Sequence, residues 1–135
     1  MTRYFALLDG EFGSYGVSFP DCAGCTAMGE TENQAYANAI EALSEWAHDA
    51  KAKGALPQPS TIDELRRDPD VAAALAEGGV FLSVPLVLAT GRSVKANISL
   101  DQGLLEAIDE AARRAGLTRS GFMASAAREK IAAGG

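Results

Sequence analysis

The first 30 residues alternate short hydrophobic runs with turn-forming stretches, a pattern typical of β-strands. Residues 4–9 and 15–19 are rich in aromatic and aliphatic side chains, and residues 10–14 between them have the length of a hairpin loop. Residues 20–24 are rich in turn formers, and another apolar run follows at 25–29. We therefore expect an antiparallel meander of three strands.

A long amphipathic helix is predicted after the meander. Thr31 and Gln34 have the spacing of a capping box, and Gly54 is suited to end the helix. The apolar positions recur at three- and four-residue steps: Tyr36, Ala39, Ile40, Leu43, Trp46, Ala47 and Ala50. The acids Glu32, Glu41, Glu45 and Asp49 fall largely on the other side. The apolar side is therefore expected to pack on the sheet.

Two short helices and a fourth strand complete this first module. Thr61 and Glu64 repeat the capping-box spacing and Asp68 precedes a proline, so we predict two helices that meet at Asp68. Residues 80–88 are dense in apolar and β-branched side chains and predict a strand. Pro85 places that strand at an edge or a bulge, because proline cannot donate to a ladder. The predicted order is βββ-α-β.

Residues 92–135 have a different pattern, one alternating strand followed by two amphipathic helices at 101–115 and 119–132. In the strand, Lys95, Asn97 and Ser99 alternate with Ala96, Ile98 and Leu100. The apolar helix positions are Leu104, Leu105, Ile108, Ala111, Ala112, Ala115, Phe122, Met123, Ala126, Ala127 and Ile131. A module of this size has too small a core to be stable alone, so we expect two copies to pair.

Charge divides the chain at the same point. Residues 1–91, of which 89–91 form the predicted linker, carry five basic and 13 acidic side chains, a net charge of −8. Residues 92–135 carry seven basic and five acidic side chains, a net charge of +2. The first module therefore suits a basic protein partner, and the second can meet phosphate.

No run of the sequence has the length and apolarity of a membrane span, and no secretion signal precedes the first strand, so we expect a cytoplasmic protein. Cys22 and Cys25 are spaced as C-x-x-C, but His48 is the one histidine, so a zinc site needs ligands from another chain. Packing in a loop explains the two thiols better. We expect no cofactor, no metal and no catalytic residue.

The order of elements in residues 92–131, with Gly-Leu-Thr-Arg-Ser at 116–120, resembles the ribbon-helix-helix family of DNA-binding proteins. The resemblance implies that two strands pair into a ribbon that enters the major groove. The base-reading side chains would be Lys95, Asn97 and Ser99. The phosphate-binding residues would be Thr118, Arg119 and Ser120. The dimer core would comprise Ala96, Ile98, Leu100, Leu105, Ile108 and Phe122. The alternative to base reading is that the polar face of this strand is simply exposed to solvent. Gly121 replaces the bulkier residue often found in the family, which leaves the start of the second helix less well supported.

Residues 15–26 (Tyr-Gly-Val-Ser-Phe-Pro-Asp-Cys-Ala-Gly-Cys-Thr) and 29–35, before the long helix, closely resemble the HicB antitoxin domain. The resemblance implies a partial ribonuclease H-like fold that has lost nuclease activity and binds the HicA toxin, a small basic RNA-cleaving protein. Ala23 stands where a proline is usual, which puts the rigidity of that loop in question.

Together the two resemblances imply an α+β antitoxin, a homodimer or a tetramer, that neutralises a HicA-type mRNA-cleaving toxin and represses its own operon at operator DNA. One alternative is a stand-alone ribbon-helix-helix transcription regulator whose first module senses a ligand or oligomerises. Another is a nuclease that uses Asp9, Glu11 and Asp21, since two-metal cleavage needs converging carboxylates.

Overall fold

The computed structural model describes residues 1–88 and 92–133, so the predicted linker at 89–91 lies outside the described residues. The chain divides into two compact units, Met1–Thr90 and Gly91–Gly135. It combines an antiparallel sheet with helices. Within the described residues, no helix is both long enough and apolar enough for a membrane span.

Four strands form one antiparallel sheet in the order β3-β2-β1-β4. They are β1 (Arg3–Glu11), β2 (Ser14–Ser18), β3 (Thr26–Gly29) and β4 (Val80–Pro85). The first three confirm the predicted meander. The fourth is an edge strand, as its proline indicated, and it ends at that proline rather than at residue 88. A strand that stops there needs no ladder hydrogen bond from the residue that lacks an N–H.

Helix α1 spans Glu32–Ala52 and begins at the predicted cap. The Thr31 hydroxyl accepts a hydrogen bond from the N–H of Gln34 at 3.1 Å. The Gln34 side chain accepts from the N–H of Glu30 at 2.7 Å, one residue before the cap, so the predicted capping box is formed with a shifted partner.

One face of the sheet is covered by α1. The buried residues of the helix are Ala35, Ala39, Ile40, Leu43, Ala47 and Ala50. Tyr36 and Trp46, which the pattern placed on the same side, are only half-buried. Their polar ends explain this, because the Tyr36 hydroxyl donates to the Ser83 carbonyl at 3.2 Å and the Trp46 indole N–H donates to the Ala23 carbonyl at 2.9 Å.

Two short helices, α2 (Ile62–Arg66) and α3 (Pro69–Ala76), cover part of the opposite face. They meet at Asp68, as predicted, and the Asp68 carboxylate caps α3 by accepting from the N–H of Asp70 at 2.8 Å. A small core lies beneath them and contains Leu7, Leu65 and Val71, with Phe5, Ala74, Leu75 and Phe81 packed against it. The sheet therefore has apolar cover over one face and over part of the other.

The second unit consists of α4 (Gln102–Arg114) and α5 (Arg119–Ala132), which match the two predicted helices. Residues 92–100 before them are exposed and form no strand in the single chain. The strand predicted at 95–100 is thus not formed here, because a strand exists only in a ladder and none of the residues that the structure describes pairs with this segment. Of the described residues in this unit, Ala112 alone is buried.

Candidate functional site

The alternating segment 95–100 stands open to solvent with both of its faces uncovered. Its apolar members include Ile98, which is 62% exposed, and Leu100, which is 37% exposed. Leu104, at the start of α4, is 51% exposed. An alternating segment with this much apolar area in water carries a hydrophobic cost that a matching surface would remove.

The predicted dimer-core residues divide into two groups. Leu105 and Ile108 on α4 and Phe122 on α5 are half-buried, whereas Ala96, Ile98 and Leu100 are exposed. The three base-reading candidates Lys95, Asn97 and Ser99 are also exposed. The single chain thus covers the helical members of the predicted core in part and leaves the strand members exposed.

The first turn of α5 has a side-chain cap and backbone N–H groups without an acceptor in the helix. The Thr118 hydroxyl accepts from the N–H of Gly121 at 3.0 Å, so this helix start is capped although Gly121 carries no side chain. Ser120 is exposed in the same first turn. The backbone N–H groups of Arg119 and Ser120, as the first two residues of the helix, have no acceptor within it and can meet an anion.

The Arg119 guanidinium is hydrogen-bonded to a carboxylate of the same unit. It donates to both carboxylate oxygens of Asp109 at 2.8 Å, through Nε and through an Nη atom. These hydrogen bonds hold the pKa of the Asp109 carboxyl below its ordinary value. Asp109 lies in α4, so the pair links the two helices. The resemblance to the ribbon-helix-helix family implied that Arg119 binds a phosphate, and the sequence did not indicate Asp109 as its partner.

The loop that carries the HicB-like motif is firmly tied to the rest of its unit. Both carboxylate oxygens of Asp21 accept hydrogen bonds from Ser60, one from its N–H at 2.8 Å and one from its hydroxyl at 2.6 Å. The Trp46 indole holds the carbonyl of Ala23 from the other side. The missing proline at position 23 therefore does not leave the loop without support.

Cys22 and Cys25 lie inside this loop and are buried. The N–H of Cys25 donates to the carbonyl of Cys22 at 3.0 Å. Burial raises the pKa of Cys22 to about 12 and the pKa of Cys25 to about 11, so both remain neutral thiols at neutral pH. Neutral buried thiols pack as small apolar groups, the role expected of them. The described residues contain no group of three or more His, Cys, Asp or Glu side chains that could hold a metal ion.

The three carboxylates of the nuclease alternative do not converge. Glu11 is paired with Ser14 at the start of β2, whereas Asp21 follows the end of that strand and is bound to Ser60. Asp9 lies between them, opposite Gly16. Two-metal cleavage requires carboxylates around one point, and this arrangement spreads them along the strand.

A protein-family model described as HicB-like antitoxin of bacterial toxin-antitoxin system matches residues 4–127 of this sequence. The chain belongs to the HicB-like antitoxin family. Members of this family are non-enzymatic regulators of toxin-antitoxin systems, which agrees with the scattered carboxylates. No curated protein matches the chain.

Two solved structures of HicB antitoxins resemble the chain along nearly all of its length. The antitoxin HicB of Burkholderia pseudomallei is 29% identical, with 97% of this chain and 99% of that chain covered and a TM-score of 0.55. Antitoxin HicB3 is 32% identical, with 96% and 98% covered and a TM-score of 0.53. A chain from a HicA3 and HicB3 toxin-antitoxin complex is 26% identical, with 64% and 99% covered and a TM-score of 0.48.

Proposed function

We propose that this HicB-like antitoxin acts in the cytoplasm, where it neutralises a HicA-type mRNA-cleaving toxin and represses its own operon by binding operator DNA. The N-terminal unit, residues 1–91, would be the toxin-binding domain of partial ribonuclease H-like fold. Residues 92–135 would form a ribbon-helix-helix domain that makes the dimer and holds DNA. Dimers joined into a tetramer remain compatible with this proposal.

One observation carries the DNA part of the proposal: the alternating segment 95–100 is exposed and unpaired directly before two helices that bury only Ala112 among their described residues. A second copy supplies what is missing. Two such segments can pair into a ribbon whose apolar side covers the helices of both copies. The polar side, with Lys95, Asn97 and Ser99, then points away from the core.

The exposed polar side chains suit base edges. Lysine donates to guanine O6 and N7, asparagine can bond adenine in bidentate fashion, and serine can donate or accept. The capped start of α5 offers the backbone N–H groups of Arg119 and Ser120 to a phosphate, with Thr118 fixing the turn. The net charge of +2 on residues 92–135 favours such an approach.

The DNA part is tested with the promoter region of the operon that encodes this chain. We expect Asn97→Ala to reduce the preference for that DNA over a scrambled duplex by roughly 1–3 kcal/mol. Gln102→Ala, an exposed polar change in the first turn of α4, is the matched control and should bind as the wild type does. Unchanged discrimination by the Asn97 variant would contradict the assignment of the ribbon.

The toxin part is tested with a purified HicA-type toxin and a labelled mRNA. Cleavage should stop when the antitoxin reaches the concentration of the toxin. Asn97→Ala should inhibit as well as the wild type, because that residue lies in the other unit. Cleavage that persists with excess antitoxin would refute the neutralising function, whatever the outcome with DNA.

A further inference from the structure

Half of one sheet face is left without cover in the N-terminal unit. The helices α2 and α3 pack over β1 and β4, where Leu7 and Phe81 lie side by side. The neighbouring half, on β2, β3 and the end of β1, carries no helix. We call this half the open sheet face, and it consists of Asp9, Gly16, Ser18, Thr26 and Met28.

Register places these residues on one side. Gly16 is paired with Asp9 on β1 and with Met28 on β3, so the three form one row across three strands. Ser18 is paired with Leu7 and with Thr26 in the next row, and Leu7 belongs to the core beneath α2 and α3. Because directly opposed residues share a side of the sheet, the open sheet face continues the covered one.

Each free edge of the sheet has a carbonyl that already accepts a side-chain hydrogen bond. On β3, the carbonyl of Met28 accepts a hydrogen bond from the Asn38 side-chain amide at 2.7 Å. On β4, the carbonyl of Ser83 accepts from the Tyr36 hydroxyl, and Pro85 has no N–H to offer. One carbonyl of each free edge is thus already hydrogen-bonded, whereas the open sheet face is uncovered, which favours docking on the face.

The open sheet face is acidic and has apolar anchors. The Asp9 carboxylate lies over the row, since a Cβ at Gly16 would come within 2.9 Å of its Oδ1 atom. Met28 is 68% exposed, and Phe12, at the tip of the adjoining hairpin, is 83% exposed. The N–H of Gly13 donates to the carbonyl of Glu30 at 2.8 Å and fixes that tip at the same end of the sheet.

The charge on this face is not paired within its own segment. Among residues 1–88, which the structure describes throughout, no carboxylate forms an ion pair with a base of that segment; Arg114–Glu110 and Arg119–Asp109 are ion pairs of the other unit. The N-terminal module carries a net charge of −8. Such a field attracts a basic surface, repels nucleic acid, and opposes the docking of a second copy of the same face.

We propose that the open sheet face, with Phe12 at its border, is the surface on which a lysine- and arginine-rich protein surface docks. Met28 and Phe12 would enter apolar recesses of the partner, while Asp9 and the neighbouring carboxylates would pair with its bases. Buried apolar anchors within a charged rim are typical of the residues that dominate an interface. This inference rests on the proposed function, which supplies the partner: the basic toxin.

The test measures binding of the full-length antitoxin to the toxin encoded beside it, by calorimetry at two salt concentrations. Asp9→Lys reverses the charge in the centre of the face and should weaken binding about tenfold or more. Asp49→Lys makes the same change at an exposed position of α1, away from the face, and should alter binding by less than about threefold. Met28→Lys should weaken binding about as much as Asp9→Lys.

Gly16→Ala tests whether binding depends on the position of the Asp9 carboxylate, without a change in net charge. The added Cβ displaces the Asp9 carboxylate while the net charge stays the same, and we expect weaker binding with an unchanged thermal unfolding midpoint. Each variant is checked for that midpoint, so a loss of binding through unfolding is recognised directly.

The outcomes distinguish the two proposals. If the wild type binds the toxin and Asp9→Lys binds equally well, or if Asp49→Lys is the variant that weakens binding, the docking surface is overturned and the antitoxin function stands. If the wild type does not bind the toxin, the toxin part of the proposed function is refuted and the docking surface falls with it.

Discussion

Arg119 and Asp109 form a two-point ion pair that connects the first residue of α5 to α4, with both N–O distances at 2.8 Å. The pair crosses the turn between the helices, so it fixes the direction in which α5 begins. Under the proposed DNA-binding function, an arginine held in this way would act through geometry, since its backbone N–H and that of Ser120 remain directed out of the helix start.

We therefore expect Arg119→Gln to leave the salt dependence of operator binding nearly unchanged while it lowers the thermal unfolding midpoint. Asp109→Asn should lower the midpoint by a similar amount, and the double variant should lose little more than either single one, because both remove one interaction. If the guanidinium leaves Asp109 to bind phosphate, the slope of log K against log salt would change by about 2 per dimer. The salt dependence therefore distinguishes an Arg119 that stays bound to Asp109 from an Arg119 that binds a DNA phosphate.

The same pair makes a prediction for pH. The pKa of Asp109 is held below its ordinary value by the Arg119 hydrogen bonds, so its contribution to stability is complete above the ordinary aspartate pKa of about 3.9 and is lost as pH falls through the lower folded value. Unfolding midpoints of the wild type and of Asp109→Asn should therefore differ at pH 7 and converge at strongly acidic pH. A difference that stays constant through the acid range would contradict this account.

The helices of this chain could be predicted closely because their signals are local. The bounds 119–132 of the last helix were predicted and are confirmed, since Thr118 caps the start and the polar and apolar positions repeat along the helix. The two short helices that meet at Asp68 are equally determined by residues within one turn of each end. Such signals need no information from elsewhere in the chain.

Pairings between distant groups could not be predicted in the same way. The hydrogen bonds from Ser60 to Asp21 and from Asn38 to Met28 join residues whose spacing follows no helical or strand period. The predicted strand at 95–100 is not formed for a related reason, because no other described segment of the chain pairs with it. The uncovered half of the sheet face could not be predicted either, because it depends on where α2 and α3 pack on the sheet.

The alternating segment gives a direct test of pairing. Ile98→Lys would place a charge in the apolar seam between two copies, at a cost of about 3 kcal/mol for each chain, and should shift the dimer to monomers in the micromolar range. Sedimentation equilibrium of the full-length protein measures this. Asn97→Ala, one residue away on the polar side, should remain a dimer. Dimers that persist with Ile98→Lys would show that the copies associate elsewhere.

The bond between Asp21 and Ser60 should stabilise the N-terminal unit. Asp21→Ala removes the acceptor of two hydrogen bonds and leaves the N–H and the hydroxyl of Ser60 without it, so we expect a loss of about 1–3 kcal/mol in the free energy of unfolding. Urea titration followed by Trp46 fluorescence reports on this, because the indole contacts the same loop. Asp9→Ala, an exposed aspartate on the open sheet face, is the control and should change stability little.

The buried thiols should be protected from alkylation. Burial raises the pKa of Cys22 to about 12 and that of Cys25 to about 11, so the folded chain holds almost no thiolate at pH 8. We expect iodoacetamide to modify both residues far more slowly in the folded protein than in urea, with the mass increase read by spectrometry. As pH rises above about 8.5, the unfolded thiols ionise first, so the unit should lose stability there. Cys22→Ala should reduce that loss, whereas a wild type whose stability is flat from pH 7 to 10 would contradict the burial of these groups.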